Sequence, residues 1–394
     1  MVNLINVGPP ALHSLEDIVI AGTGLCAFGR HDGVTAAQLG VIAARKALRD
    51  AGMSWSDIEM AYGASLEGNP DTIVSDLGQT GITFINVRNG CASAGSAVLS
   101  ASLAIASGHC DIAIAVGTDN HGRGAFRSRP GDWNIPQWFG ESGFTVAPQF
   151  FAMKTMQYFA QYDLPLELAY QVAERAFRNG SITPHAWRQT PLSVDQIAES
   201  PVVCYPLRKY MLTNPCAGAG AAILCREEVA RRFDCEPLHL AGISVKTRRP
   251  GTFDVFASSV ALEPDDSPSV YASREAFEMA GIEPEDIDVI QVQDTDSGTE
   301  IIHYAECGFC EPGQQAQLIA DGETELTGRF PVNTDGGLLA NGEPVGASGL
   351  RQIYEISQQL RGRAGRRQVP GNPKSGFTHV YGGPGISAVT IIQR

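Results

Sequence analysis

The sequence predicts an α/β protein built from two copies of one βαβ-type half, with a third, irregular region set between them. Three observations carry that prediction. ARKALRDAGMSWSDIE (44–59) lies over SREAFEMAGIEPEDID (273–288) without a gap, so that Arg45, Ala47, Ala51, Gly52, Asp57 and Ile58 fall on Arg274, Ala276, Ala280, Gly281, Asp286 and Ile287. Apolar strand candidates flank this segment in the same order in both halves. Further on, each half places a Gly-rich turn ahead of a helix, NGCASAGSAVLSASLAIASG (89–108) and NGEPVGASGLRQIYEISQQLRG (341–362). Features that recur in a shared order point to duplication.

The elements follow in turn. IVIAG (18–22) is an apolar run suited to a buried strand. The amphipathic segment after it ends at Gly52, a C-cap residue, and IEMAYG resumes a strand pattern. The turn at Asn89-Gly90 then opens a helix of small residues. Between 121 and 200 the pattern changes: Trp133, Trp138 and Trp187 stand among several Pro and Gly, with two helical stretches, FFAMKTMQYFAQY and LELAYQVAERAFRNG. That is too long for a simple crossover and reads as an inserted lid or loop domain. The second half repeats the first from LHLAGISV (238–245) through Gly281 and VIQVQD. The expected boundaries are 1–120 with 201–235 for the N-terminal half, 121–200 for the insertion, and 236–394 for the C-terminal half.

Composition narrows the function. Of 394 residues, 43% are hydrophobic and 18% charged, a globular profile rather than a disordered one. A formal charge of −14 argues against a nucleic-acid surface, which needs clustered Lys and Arg. No apolar run reaches the roughly 18 residues of a membrane span. The start, MVNLINVGPPALHSLED, lacks the basic residues and apolar core of an export signal. Nine cysteines, an odd number, then read as reduced thiols of a cytoplasmic protein. Cys307 and Cys310 form one CxxC pair, too few ligands for a zinc site. No metal and no bound cofactor are expected.

Two residues stand out chemically. Cys91 follows a strand pattern and opens a helix, where the positive end of the dipole lowers a thiol pKa and free N–H groups can hold an oxyanion. The bland alternative is a buried structural Cys. Glu343, in NGEPVGASG, is the one side chain of its turn able to do acid or base chemistry, unless it merely caps the helix that follows.

These turns, the doubled halves and the terminal HVYGGPGISAVTII resemble the thiolase superfamily, especially its sterol-carrier/lipid-transfer-type branch. The likeness runs from about residue 17 to the C-terminus and includes a loop-domain segment of the family's type, QYDLPLELAYQVAERAFRNG. It implies a five-layered αβαβα thiolase fold of βαβαβαββ halves, a homodimer, an acyl-CoA substrate and a Cys that carries an acyl group, here Cys91. It also implies departures. Glu343 stands where the family has a His, and Gln293 where an Asn or His serves the thioester oxyanion hole. His379 stands near a second catalytic Cys, with Tyr381 as its rival. Substrate contacts carry over to Gly346, Ser348, Tyr381 and Gly382. Several members of the branch work with a separate OB-fold, zinc-ribbon protein, which would here be another chain.

On this reading His379 takes the thiol proton as imidazolium, and Gln293 donates to a carbonyl oxygen. Glu343 is either neutral and donating or ionised and acting as a base at an α-carbon. Three functions compete. One is a C-acyltransferase acting on a 3-oxoacyl-CoA through acyl-Cys91. Another is a retro-aldolase acting on a CoA ester without covalent catalysis, ranked lower because such enzymes abandon the Cys. The last is a non-catalytic acyl-CoA-binding subunit. Phe144, Phe150, Phe151, Tyr158 and Phe159 in the insertion suggest a bulky or aromatic acyl group. Arg123, Arg127 and Arg129 could meet CoA phosphates, a partner subunit or solvent. His109 reads as a helix cap, His303 as lacking a metal partner, and Asp294 and Asp296 as solvated turn carboxylates.

Overall fold

A computed structural model describes residues 15–123, 130–133, 136–143, 147–252, 264–383 and 385–394. Its main elements are β1 (Ile18–Gly29), α1 (Ala36–Asp50), β2 (Met60–Ala64), β3 (Thr83–Val87), α2 (Ser93–Ala106), β4 (Ile112–Asn120), α3 (Ala147–Gln161), α4 (Glu167–Ser181) and β5 (Ala217–Arg226). The second half continues with β6 (Leu238–Thr247), α5 (Pro268–Ala280), β7 (Val289–Gln291), α6 (Ser297–Glu306), α7 (Ser348–Leu360), β8 (Ser375–Gly382) and β9 (Ile386–Gln393).

The strands order as β3-β2-β4-β5-β1-β6-β9-β8-β7. The seam lies between β1 and β6, which pair only through Val19 with His239 and Ile20 with Leu238. Read outward from it, β1-β5-β4-β2 on one side matches β6-β9-β8-β7 on the other. Beside β7, a parallel bridge from Ile290 to Val332 takes the place that β3 holds beside β2. The duplication read from the sequence is therefore a duplication of topology.

Strand alternation sorts the cores into layers. On β4, Ile112, Ile114 and Val116 face outward and cluster with Leu39, Ala43 and Ala47 of α1. Ala113 and Ala115 face inward, where Ala94, Ala97 and Ala101 of α2 meet Leu350, Ile353 and Ile356 of α7. The far side of that central layer is closed by Leu240, Val289 and Ile392 of the second half. Helices α5 and α6 cover the opposite face with Ala276, Phe277, Ile301 and Tyr304. The order is α, β, α, β, α, and the chain segments of Cys91 and Glu343 lead into helices of the middle layer.

The insertion packs on this last outer face. Phe150, Phe151 and Phe159 of α3 are buried there with Val172 of α4. Those rings are buried in that core; Phe144, Arg127 and Arg129 lie outside the described residues. Among the described residues, no helix is long and apolar enough to cross a membrane.

Candidate active site

Cys91 is placed by a turn that depends on close backbone approach. Gly90 has φ +57°, and a Cβ on it would meet the Gly383 carbonyl oxygen at 2.5 Å. A Cβ on Gly382 would stand 2.8 Å from the Asn89 oxygen and 2.9 Å from the Cys91 nitrogen. The end of β8 thus presses directly on the turn that carries Cys91, and only glycine fits. Within the turn, the Ser93 hydroxyl donates to the Gly90 carbonyl at 2.6 Å and accepts the Asn89 N–H at 2.8 Å.

The second turn arrives from the opposite half. Glu343 N–H donates to the Asn214 carbonyl at 2.8 Å, and Asn341 Nδ2 donates to the Gly337 carbonyl at 2.7 Å. Helix α7 starts only at Ser348, so Glu343 is not a helix cap. Its Oε1 instead accepts the Cys91 thiol at 2.9 Å and Gln293 Nε2 at 3.0 Å. Three residues far apart in sequence, Cys91, Gln293 and Glu343, meet here. Cys91 is partly exposed, whereas Glu343 is 1% and Gln293 0% exposed. Cys91 is thus the partly exposed neighbour of a buried carboxylate–amide pair.

The electrostatics invert one expectation. Burial, then the Glu343 charge and hydrogen bond, push the Cys91 thiol well above its ordinary range. These outweigh the helix dipole, so the resting group is a thiol rather than a thiolate. Burial also raises Glu343, against the hydrogen bonds from Cys91 and Gln293 and the charges of His121 and Arg351. A carboxylate raised toward neutrality and hydrogen-bonded to a thiol suits a general base.

Other expected residues fall elsewhere. On β8, residues 380 and 382 face the middle layer, where Val380 packs with Ala92. His379 and Tyr381 therefore point to the outer layer. His379 Nε2 meets Ser269 Oγ at 2.8 Å, and Nδ1 accepts the Gln293 N–H at 3.5 Å. Burial and the neighbouring His303 ring, 4.4 Å away between centroids, drive its pKa well below the ordinary value. The expected imidazolium–thiol pair is thus replaced by a neutral His that braces residue 293. Tyr381 packs under the Lys154 ammonium at 4.8 Å. Gln293 spends both amide protons, on Thr295 Oγ1 at 2.9 Å and on Glu343, so it holds the base rather than a substrate carbonyl. Gly346 N–H goes to Asp119 at 2.6 Å and Ser348 Oγ to the Val345 carbonyl at 3.0 Å. Both polar groups brace the turn and are not offered to substrate.

Asp294 and Asp296 are fully buried, not solvated. Asp294 accepts Leu338 N–H at 2.7 Å and Leu339 N–H at 3.0 Å, and Asp296 caps α6 through Thr299 N–H at 2.8 Å. His303 pairs with Glu306 at 2.8 Å, and His109 meets Ser107 Oγ at 2.9 Å. Burial pushes Cys310 of the CxxC up to about 12 and Cys307 beyond it, so both stay protonated. His185, Asp335 and Glu355 come close enough to suggest a metal. The donor set does not fit one: Arg351 already pairs with Asp335, and Arg367 with Glu355 at 2.8 Å, so an ion would sit beside two guanidinium groups.

Two residues escaped the sequence reading. Asp119 and His121, at the end of β4, are 1% and 0% exposed and face the middle layer. The alternation Ala113, Ala115, Gly117 along one face of β4 is the pattern that leads to them.

Comparison with known proteins now bears on this arrangement. Residues 18–128 match the family described as thiolase, N-terminal domain, and 261–394 the one described as thiolase C-terminal domain-like. An acetyl-CoA acetyltransferase of Methanothermobacter thermautotrophicus is 32% identical over 96% of this chain and 100% of its own. Human sterol carrier protein 2 is 30% identical over 96% of this chain and 72% of its own. A solved structure described as an Ltp2-ChsH2(DUF35) aldolase superposes with a TM-score of 0.87 at 23% identity, covering 97% of this chain and 98% of that one.

Proposed function

This chain belongs to the thiolase family, in its sterol-carrier/lipid-transfer-type branch, and we propose that it is an acyl-CoA C-acyltransferase that breaks or forms a C–C bond in a 3-oxoacyl-CoA through acyl-Cys91. The observation that carries the reading is the 2.9 Å hydrogen bond from the Cys91 thiol to Glu343. In the cleavage direction, Cys91 Sγ bonds to the 3-oxo carbon as its proton passes to Glu343 Oε1. The C2–C3 bond then breaks, its electron pair goes to C2 of the departing CoA ester, and C2 takes the proton from Glu343. The acyl group stays on sulfur as a thioester. The thiol of free CoA loses a proton to Glu343 and attacks that thioester, and Cys91 leaves and regains the proton. The N-terminus of α2 favours the negative charge that develops beside Cys91. In this scheme Glu343 acts as the base in its ionised form, and Gln293 keeps it aimed.

The test is intact-mass analysis after incubation with a panel of acyl-CoAs and 3-oxoacyl-CoAs, straight-chain and aromatic. An acyl adduct on the wild type that is absent from Cys91→Ala is expected. No adduct, or one that survives the substitution, overturns the acyl-enzyme mechanism. The retro-aldolase is the second reading, favoured by the fold likeness to the aldolase structure. It requires that Cys91→Ala still cleave a CoA ester. The panel also decides whether bulky or aromatic acyl groups are preferred.

Two partners belong to the same proposal. The edge strand β3 is solvent-exposed over much of its length, with Ile85 45% exposed, and a second copy of this chain would cover it. A separate CoA-binding protein of the OB-fold, zinc-ribbon kind is the second, in keeping with the two components named in the aldolase structure.

A further inference from the structure

Behind Glu343 sits a buried pair that the scheme above does not use. Strand β4 ends by delivering Asp119 and His121 onto one face. Asp119 accepts Ser65 Oγ at 2.6 Å, Leu66 N–H at 3.1 Å and Gly346 N–H at 2.6 Å. His121 Nε2 lies 3.4 Å from Asp119 Oδ2 and 3.3 Å from the nitrogen of Val345, two residues past Glu343. Its Nδ1 reaches Glu67 at 3.3 Å, and its backbone is held by Arg30 Nη1 at 2.5 Å and by the Cys216 carbonyl at 3.1 Å. Among the described residues, the charged groups near the ring include Asp119 and Glu67 beside it, Arg30 on its carbonyl, and Glu343 across the turn.

We propose that His121, seated between Asp119 and the turn that carries Glu343, is a positioning residue that aims the Glu343 carboxylate at the Cys91 thiol and holds a positive charge against it. The inference rests on the reading of Cys91 and Glu343 as nucleophile and base. Two features support it beyond the packing. Asp119 accepts the Gly346 N–H and pairs with His121, so the turn is located by the same strand that runs beside the helix of Cys91. Burial disfavours an imidazolium at this site, yet the hydrogen bond and charge of Asp119, followed by Glu67, carry His121 above its ordinary value. The positive charge so retained lowers Glu343 in turn. Loss of it should leave Glu343 protonated to higher pH and idle as a base.

The experiment follows alkylation of residue 91 by iodoacetamide, read by peptide mass spectrometry from about pH 5 to about pH 9, a range that brackets a raised carboxylate and a shifted imidazole. It compares wild type, His121→Gln and Glu67→Gln. His121→Gln should move the acid limb of the rate upward by about 1 pH unit, so alkylation is about tenfold slower near the wild-type limb and converges with wild type at high pH. Glu67→Gln, at an exposed position, should move it less in the same direction. A limb that coincides with wild type, or a loss that is equal at every pH, overturns the proposal. Should His121→Gln fail to fold, Glu67→Gln decides alone. Because iodoacetamide needs no acyl-CoA, the arms separate: a shifted limb without any acyl adduct overturns the acyltransferase reading only. An adduct with an unshifted limb overturns only the role of His121.

Discussion

Glu343 is the proposed base, and its cost to the fold can be stated with its sign. Its folded pKa is raised, mainly by burial, above the roughly 4.3 of an unfolded Glu. The folded state therefore holds a proton more tightly, and stability falls as pH rises from the unfolded value through the folded one. At neutral pH the ionised carboxylate is a net cost. Glu343→Gln keeps the shape and the acceptor for Cys91 but removes the charge. It should raise Tm by roughly 2 °C at neutral pH, as relief of a strained functional group does. The same variant should slow acylation by about 10²–10⁴-fold, the usual worth of a general base. Calorimetry and single-turnover rates measure the two effects, and full activity in both Glu343→Gln and Glu343→His would reduce Glu343 to a structural residue.

At the scale of elements, the site depends on two chain segments that hold its turns in place. The end of β8 is one, since a Cβ on Gly382 would stand 2.9 Å from the Cys91 nitrogen. Gly382→Ala should push that turn by a few tenths of an ångström or more and slow acylation by about 10²-fold while the fold survives. Unchanged acylation with normal circular dichroism would show that the turn adapts. Helix α7 is the second segment, and its interior explains why it cannot slide. Arg351, fully buried, pairs with Asp335 and donates to Gln291 at 3.0 Å. Removing one member leaves a buried charge, so Arg351→Met should cost about 3–5 kcal/mol in chemical denaturation. A cost near zero would mean that Asp335 finds another cation, with His185 3.6 Å away as the candidate.

For the whole molecule, the doubled topology brings the two turns to one place. Helices α2 and α7 occupy equivalent positions in the two halves and share the middle layer, so their N-terminal turns converge across 252 residues of chain. The proposed second copy belongs to this scale too. If it covers β3, Ile85→Lys should convert a dimer to a monomer, because an inserted charge blocks edge pairing. Sedimentation velocity reads the change, and an unaltered dimer would move the interface elsewhere.

The duplication, the position of Cys91 and the presence of a lone carboxylate in its partner turn were all legible in the amino-acid order. Each rests on local pattern: apolar periodicity, Asn-Gly turns and a repeated helix. What the tertiary structure decided concerns faces and burial. His379 was expected to partner the thiol because the family resemblance places it near a second catalytic Cys, but alternation on β8 points it to the outer layer, beside His303. Asp294 and Asp296 read as solvated because short acidic turns usually are, yet both are buried and satisfied by backbone N–H groups. Asp119 and His121 passed unnoticed because nothing local marks the end of a strand as a second wall of the site. The sequence by itself determined which two turns carry the thiol and the carboxylate that meet. Only the fold decided which side chains face one another across them, because a strand residue's side is set by its register against neighbours far away in the chain.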